Sequence, residues 1–205
     1  MELLPTIRAV ADELMSCSDA ISRKFHLKNE TTITSENLAV SIKLLIPRVA
    51  EHKEYAKFLQ SQSQMYDMIG TLQRTLFTEI QDRVTNPLKT WVMSDYGRIM
   101  DSIEVLKAKR WQMDVVIAEF EKSNIKHVFF FILLKDETQT TTENFKVEQC
   151  KKDYETQLAM VKADLRKIPA IQVDLSICLR HFNQLMFDYH KQMEEVLDKF
   201  GAGKV

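Results

Sequence analysis

The sequence predicts an all-α fold of long helices, and two observations support this prediction. The chain has four glycines in 205 residues, and Gly201 and Gly203 lie in its last five positions. Tight turns between strands need glycine, because glycine reaches positive φ without strain, whereas long helices avoid it. In addition, apolar residues recur every three or four positions along most of the chain. That period indicates one face of a helix rather than the alternation of a half-buried strand.

The first predicted helix covers about residues 4–25 and carries Leu14, Cys17 and Ile21 on one face. The segment that follows, HLKNETTITSEN, is polar and contains several β-branched residues. That composition favours a loop between two helices.

The second predicted helix is very long and covers about residues 35–122. Thr34 or Ser35 is expected to cap its N-terminus, because a side-chain oxygen satisfies free backbone N–H groups there. Pro47 and Pro87 interrupt the apolar stripe without any accompanying glycine or turn cluster. A lone proline inside a periodic stripe usually kinks a helix, so both prolines are interpreted as bends within one continuous helix.

The third predicted helix covers about residues 142–200, and Pro169 supplies one kink within its stripe. At about 1.5 Å per residue, the second and third helices would span roughly 130 Å and 90 Å. No compact globule of this size accommodates such helices. The sequence therefore predicts a single elongated domain over residues 1–205, a three-helix kinked coiled coil whose apolar stripe requires a partner chain.

The stretch HVFFFILL, residues 127–134, contains seven consecutive apolar residues and departs from this pattern. It is far shorter than the roughly 20 residues of a transmembrane helix. The acidic start of the chain also lacks the features of a signal peptide. The stretch lies in the predicted tip loop, about residues 123–141, between the second and third helices.

The charge balance argues against an overall attraction to nucleic acid or membrane, and the missing motifs argue against most enzyme classes. A formal net charge of −1 gives no overall attraction to nucleic acid or membrane, so any attraction must come from local clusters. Cys17, Cys150 and Cys178 lack metal-ligand spacing and are predicted to be buried, reduced thiols of a cytosolic protein. HExxH, Cys-x-x-Cys, glycine-rich phosphate loops and GxSxG do not occur in the sequence. We therefore predict that the protein is not an enzyme and has no cofactor, metal, small-molecule substrate or nucleic-acid partner.

Two stretches go beyond a generic coiled coil. They are IQDRVTNPLKTWVMSDYGRIMDSIEVLKAKRWQMD at residues 80–114 and IPAIQVDLSICLRHFNQLMFDYHKQMEEVLDKF at residues 168–200. Both resemble BAR domains, most closely the N-BAR module of the endophilins. A Leu-x-Tyr-His-x-Gln pattern in the family's third helix is similar to FDYHKQ at residues 187–192. A Pro-Leu kink, a basic pair and a following Asp in its second helix resemble Pro87-Leu88, Lys109-Arg110 and Asp114.

The resemblance implies an antiparallel homodimer in which each chain contributes three kinked helices to a six-helix crescent. The concave face and the ends of such a crescent bind curved, anionic membrane. The implied protein is cytoplasmic and peripherally membrane-associated, with a role in endocytosis or vesicle trafficking. The positions expected to form the kinks and the dimer core are Pro87, Leu88, Pro169, Leu175, Phe182 and Tyr189.

The sequence departs from the endophilin pattern in three places. It begins almost directly with the first bundle helix, so the amphipathic helix that precedes the endophilin bundle is expected to be missing. The family's membrane-facing insert is reduced to a short loop, residues 26–35. The lysine-rich tip of the endophilins is replaced by Val116, Ile117, Ala118 and Glu119, and no ligand-binding domain is expected after the helical module.

Positive charge is nevertheless concentrated near the predicted tip. Basic residues outnumber acidic residues by six to three between residues 107 and 135, although salt screens their attraction beyond about 8 Å. Together with three lysines of the third helix they form the predicted membrane-binding set. Its members are Lys107, Lys109, Arg110, Lys122, Lys126, Lys135, Lys146, Lys151 and Lys152.

Three interpretations of Phe129, Phe130 and Phe131 stay open. The rings insert into the lipid interface in place of the missing lysines, or they fold back on the tip as a helix extension or an apolar cap. The third interpretation is that the segment is foreign to the working protein, for example translated non-coding sequence.

Two hypotheses about function follow from the sequence. The first is a dimeric module that senses or scaffolds curved anionic membranes. The alternative is a helical dimerisation scaffold or adaptor with little direct lipid binding, which the near-zero net charge and the missing tip lysines favour.

Overall fold

A computed structural model describes residues 3–24, 33–131 and 138–201 of the chain. The side chains of residues 24, 123–131 and 138–143 also lie outside the description. The described residues are almost entirely helical and include no β-strand, which confirms the prediction of an all-α fold with long helices. The α-helices are α1 (Leu3–Lys24), α2 (Thr34–Leu45), α3 (Lys53–Ile80), α4 (Asn86–Thr90), α5 (Gly97–Phe131), α6 (Thr138–Leu165) and α7 (Ile168–Lys199).

The chain reverses direction at Pro47, so the prediction of one continuous helix over residues 35–122 was wrong. A short 3₁₀ turn, Ile46–Val49, ends α2, and α3 begins only at Lys53. Pro47 has no N–H for the next helical hydrogen bond, and its ring blocks continuation of the preceding turn. Because the apolar spacing on either side of Pro47 is helical, the sequence pattern alone did not distinguish a bend from a reversal.

Helices α2 and α3 form an antiparallel hairpin held by polar contacts. The Ser63 hydroxyl donates to the carbonyl oxygen of Ala39 at 3.2 Å, and Lys43 forms an ion pair with Asp67. Farther from the turn, the Ser35 hydroxyl donates to the side-chain oxygen of Gln73 at 3.0 Å. These pairs keep the two helices in a fixed register along their whole contact.

The N-terminus of α2 is capped by Glu36 instead of by the predicted Thr34 or Ser35. Ile33 immediately precedes the helix, and its backbone N–H donates to the Glu36 carboxylate at 3.2 Å. The same carboxylate accepts from Nε of Arg74 on α3 at 3.1 Å. The Arg74 hydrogen bond is the main reason why the pKa of Glu36 lies below its ordinary value.

Gly70 allows α2 to approach α3 closely at this point. A Cβ at position 70 would lie 2.5 Å from Cγ of Glu36 and 3.3 Å from the Glu36 backbone nitrogen. We expect Gly70→Ala to lower the free energy of unfolding by about 1–3 kcal/mol, because Glu36 is held by Arg74 and cannot simply move aside. Denaturant titration followed by circular dichroism measures this loss.

Gly97→Ala is the matched control for this substitution. Nothing lies within 4 Å of a Cβ at position 97, so the control should gain about 0.5–1 kcal/mol from the higher helix propensity of alanine. If both variants were stabilised alike, the close approach of α2 to α3 at Gly70 would not constrain the fold.

The chain divides into two compact units, residues 1–92 with 172–205 and residues 93–171. In the first unit, α1 and α7 pack against the segment that runs from α3 through α4. Ile80 and Val84 are fully enclosed there, with 1% and 0% of their surface exposed. The other buried members of this core are Ala11, Leu14, Leu76, Leu88, Val92 and Cys178.

The helical backbone continues across Pro87, unlike at Pro47. A wide π turn, Gln81–Thr85, precedes the proline, and the Asn86 N–H donates to the carbonyl oxygen of Gln81, five residues earlier. Such a turn accommodates a proline whose ring would clash with the carbonyl of a regular helix. A second π turn, Trp91–Tyr96, follows α4. The predicted local departure from regular helix at Pro87 is therefore present.

The second unit is an antiparallel hairpin of α5 and α6. Both helices bury apolar side chains, Ile99 and Ile103 on α5 and Val147 and Val161 on α6, and α5 and α6 pack against each other. Helix α5 ends at Phe131 and α6 begins at Thr138, so helix occupies much of the segment that was predicted as a tip loop, residues 123–141. The sequence from Ser123 to Phe131 contains no glycine or proline, so nothing in it stops helix propagation.

The predicted kink at Pro169 takes the form of a short interruption. Helix α6 ends at Leu165, a turn covers Arg166 and Lys167, and α7 begins at Ile168. Pro169 therefore lies in the first turn of a new helix. Backbone N–H groups have no intrahelical acceptor there, so a proline, which lacks an N–H, is tolerated.

Candidate membrane-binding surface

Five basic residues of α5 and α6 lie at one level of the second unit. The side-chain N–H of Gln157 donates to the carbonyl and the hydroxyl of Ser102, at 3.0 Å and 2.9 Å. Residue numbers increase in opposite directions along the two antiparallel helices. The segment 107–110 of α5 therefore lies level with the segment 149–152 of α6, which brings five of the predicted bases together.

Three of these bases form ion pairs with acids on their own helix. Nζ of Lys107 lies 2.7 Å from Glu104, Nε of Arg110 lies 3.9 Å from Asp114, and Nζ of Lys151 lies 3.3 Å from Glu148. Such exposed pairs contribute little to stability, but each acid cancels much of the field of its base.

The remaining described bases make no ion pair within the described ranges. Lys109 is half-buried, whereas Lys122, Lys146 and Lys152 are exposed. Acidic and basic residues are equally numerous in segments 104–122 and 144–155, with seven of each. The acids are Glu104, Asp114, Glu119, Glu121, Glu148, Asp153 and Glu155. Positive and negative side chains are therefore intermixed on this surface. Its exposed bases without an ion pair among the described residues are Lys122, Lys146 and Lys152.

The side chains of the other predicted tip residues lie outside the part of the chain that the structure describes. Phe129, Phe130, Phe131 and Lys126 belong to α5 by their backbone, but their side chains lie outside the described residues, as does Lys135 altogether.

The residues predicted for kinks and dimer core pack largely within the chain itself. Leu88 is buried in the core of the first unit, and Leu175, Phe182 and Tyr189 are half-buried against it. Tyr189 also hydrogen-bonds Gln73, and burial raises the pKa of the Tyr189 phenol. Pro87 and Pro169 are exposed. The assignment of these six residues to kinks and a dimer core that involves a second chain stays a prediction.

The α2–α3 hairpin carries exposed apolar side chains that the sequence pattern did not reveal. The rings of Tyr55 and Phe58 stack with centroids 6.4 Å apart, and 47% and 55% of their surfaces are exposed. Four side chains of α2 are exposed as well, namely Leu38, Val40, Leu44 and Leu45. The only sequence signal was that these residues are apolar but lie outside the main stripe.

A buried carboxylate stabilises the pairing of α5 with α6. The side chain of Asp164 is 11% exposed and accepts from the Arg98 guanidinium at 2.6 Å and from Nζ of Lys167 at 3.0 Å. The hydrogen bond from Arg98, followed by that from Lys167, holds the pKa of Asp164 below its ordinary value.

Asp164→Asn should lower the midpoint of thermal unfolding by about 2–4 °C. The contribution of Asp164 should be full above the unfolded-state pKa of about 3.9 and be lost as the pH falls through the lowered folded-state pKa. The gap between wild type and variant should therefore close in acid. Asp153→Asn removes an exposed carboxylate of the same helix and serves as control. A gap that persists unchanged at low pH would contradict the assigned role of the Asp164 charge.

Within the described residues, no helix is both long and apolar enough to cross a bilayer. The described residues also contain no group of three or more histidine, cysteine, aspartate or glutamate side chains placed to hold a metal ion.

No curated protein matches the sequence. The family model for the BAR domain matches residues 5–201, which is nearly the whole chain. The chain therefore belongs to the BAR domain family.

Proposed function

We propose that this protein is a dimeric module that senses or scaffolds curved, anionic membranes in endocytosis or vesicle trafficking. In this proposal two chains associate antiparallel into a six-helix crescent of the endophilin type. The module is cytoplasmic and associates with the membrane peripherally.

The observation that carries the proposal is the family match over residues 5–201. BAR domains generally bind and scaffold curved membranes and are structural modules rather than enzymes. Because the match covers nearly the whole chain, the proposal applies to the chain and not to one segment of it.

The exposed apolar side chains of the first unit support dimerisation. A large contiguous apolar surface is uncommon on a monomeric protein and typically marks an interface. Here the stacked pair Tyr55 and Phe58 stands at the start of α3, next to the turn that joins it to α2. A second chain that covers this hairpin would remove the aromatic surface from water.

The exposed lysines of the second unit support contact with lipid. Lys122, Lys146 and Lys152 are exposed and make no ion pair with other described residues. A lysine close to an anionic bilayer contributes about 1 kcal/mol. Three such residues in each chain of a dimer supply enough attraction for reversible membrane binding.

The equal numbers of acidic and basic residues favour a second candidate function. Glu104, Asp114 and Glu148 neutralise three bases of the surface. A scaffold that dimerises through the same helices but contacts lipid weakly would have such a mosaic surface.

Vesicle co-sedimentation distinguishes the two functions. The membrane-binding proposal predicts that the protein pellets with vesicles containing phosphatidylserine at low salt, and that high salt or pure phosphatidylcholine releases it. A dimer that stays in the supernatant under all these conditions would support the scaffold and reject the membrane module.

A further inference from the structure

Trp111 of α5 is exposed over 71% of its surface, which is unusual for so large an aromatic side chain. The indole combines an apolar body with a polar N–H, and such side chains concentrate where an apolar and an aqueous phase meet. Trp111 does not belong to the buried face of α5, on which Ile99 and Ile103 lie.

Lysines flank Trp111 along the same face of α5. Lys107 lies four residues before it and Lys122 eleven residues after it, which are one and three helical turns. Both lysines are exposed, and Lys107 is paired with Glu104 at 2.7 Å. The neighbouring residues Arg110 and Gln112 are also exposed.

This setting fits a lipid interface better than a protein interface. The energetic centre of a protein interface is usually an anchor side chain within a closely packed, desolvated patch. On the surface of α5 the neighbours of Trp111, three and four residues away, are charged Lys107 and Asp114 and the small or half-buried apolar residues Ala108 and Val115. No other large exposed apolar side chain of α5 therefore adjoins Trp111 to form an apolar patch. An interfacial tryptophan needs only to enter the headgroup layer while adjacent lysines contact anionic headgroups.

We infer that Trp111 enters the headgroup region of an anionic bilayer and anchors α5 there, with Lys107 and Lys122 on either side. This inference rests on the proposed membrane-binding function and adds an apolar contact to its electrostatic one. The partner is an anionic phospholipid bilayer, and a protein partner is an alternative outcome of the test.

Tryptophan fluorescence tests the inference directly, because the chain has only two tryptophans. In the full-length Trp91→Phe variant, Trp111 is the sole emitter. Its emission should shift to shorter wavelength when vesicles containing phosphatidylserine are added, and lipids brominated near the headgroup end of the acyl chains should quench it. If Trp91→Phe did not fold, subtracting the emission of Trp111→Phe from that of the wild type would give the same signal.

The outcomes separate this inference from the proposed function. Co-sedimentation with a blue shift and quenching supports both. Co-sedimentation without any change in Trp111 emission overturns the inference and leaves electrostatic membrane binding intact. Absence of co-sedimentation overturns both.

Trp111→Ala supplies a second test. We expect its affinity for anionic vesicles to fall about tenfold, or about 1.4 kcal/mol, whereas Trp111→Phe should retain most of the affinity. The oligomer mass measured in solution should be the same for Trp111→Ala as for the wild type. A loss of dimer in Trp111→Ala would show that Trp111 contacts protein and would overturn the inference.

Discussion

Phe58→Glu should convert the proposed dimer into a monomer over concentrations at which we expect the wild type to be dimeric. Phe58 is 55% exposed in the single chain and stacks on Tyr55, so its folded environment tolerates the change without creating a core cavity. At a dimer interface, however, a carboxylate would be buried among apolar side chains, which is costly. We expect the dissociation constant to rise at least about 100-fold, or about 2.8 kcal/mol.

Sedimentation equilibrium measures this change, and Gln60→Glu is the matched control. Gln60 is an exposed residue of the same helix, and its replacement adds the same charge. The control should remain dimeric. If Phe58→Glu also remained dimeric, with an unchanged far-ultraviolet spectrum, the hairpin surface would not be the dimer interface.

Reversing the charges of Lys122, Lys146 and Lys152 should abolish binding to anionic vesicles. Each lysine contributes about 1 kcal/mol near an anionic bilayer, and a glutamate in its place is repelled. Because all three side chains are exposed, the triple variant should fold and dimerise normally. Co-sedimentation with vesicles containing phosphatidylserine should fall from clear binding to background.

A second triple variant tests whether position matters or only net charge. Lys53, Lys89 and Lys191 are exposed residues of the first unit, and their replacement by glutamate gives the same net charge. This variant should keep most of its vesicle binding. Equal loss in both triple variants would show that overall charge, and not the surface formed by α5 and α6, governs attraction to the membrane.

Most of the helices could be predicted from sequence, but the pattern did not distinguish a proline that bends a helix from one that ends it. Pro47 and Pro87 both lie inside an apolar stripe. Val84 and Leu88 flank Pro87 and are buried against other helices, so tertiary packing on both sides keeps the backbone helical across the proline. Pro47 is followed by exposed Arg48, and little packing opposes a reversal there. The difference depends on tertiary contacts that the local pattern does not contain.

Some features of the candidate surface could be predicted from sequence and others could not. The ion pairs of Lys107 and Arg110 follow from the i,i+3 and i,i+4 spacing of Glu104 and Asp114 and were available from the sequence. The exposure of Phe58 and Trp111 was not, because an apolar residue outside the main stripe is often covered by another helix of the same chain. Only the arrangement of the helices shows which of these side chains are left exposed.

Binding of the wild-type protein to anionic vesicles of decreasing diameter tests whether the protein senses membrane curvature. We expect that the protein binds these vesicles and that the amount bound per lipid area rises as the vesicles become smaller. Binding that is absent at every diameter, or equal at all diameters, would contradict a module that senses membrane curvature.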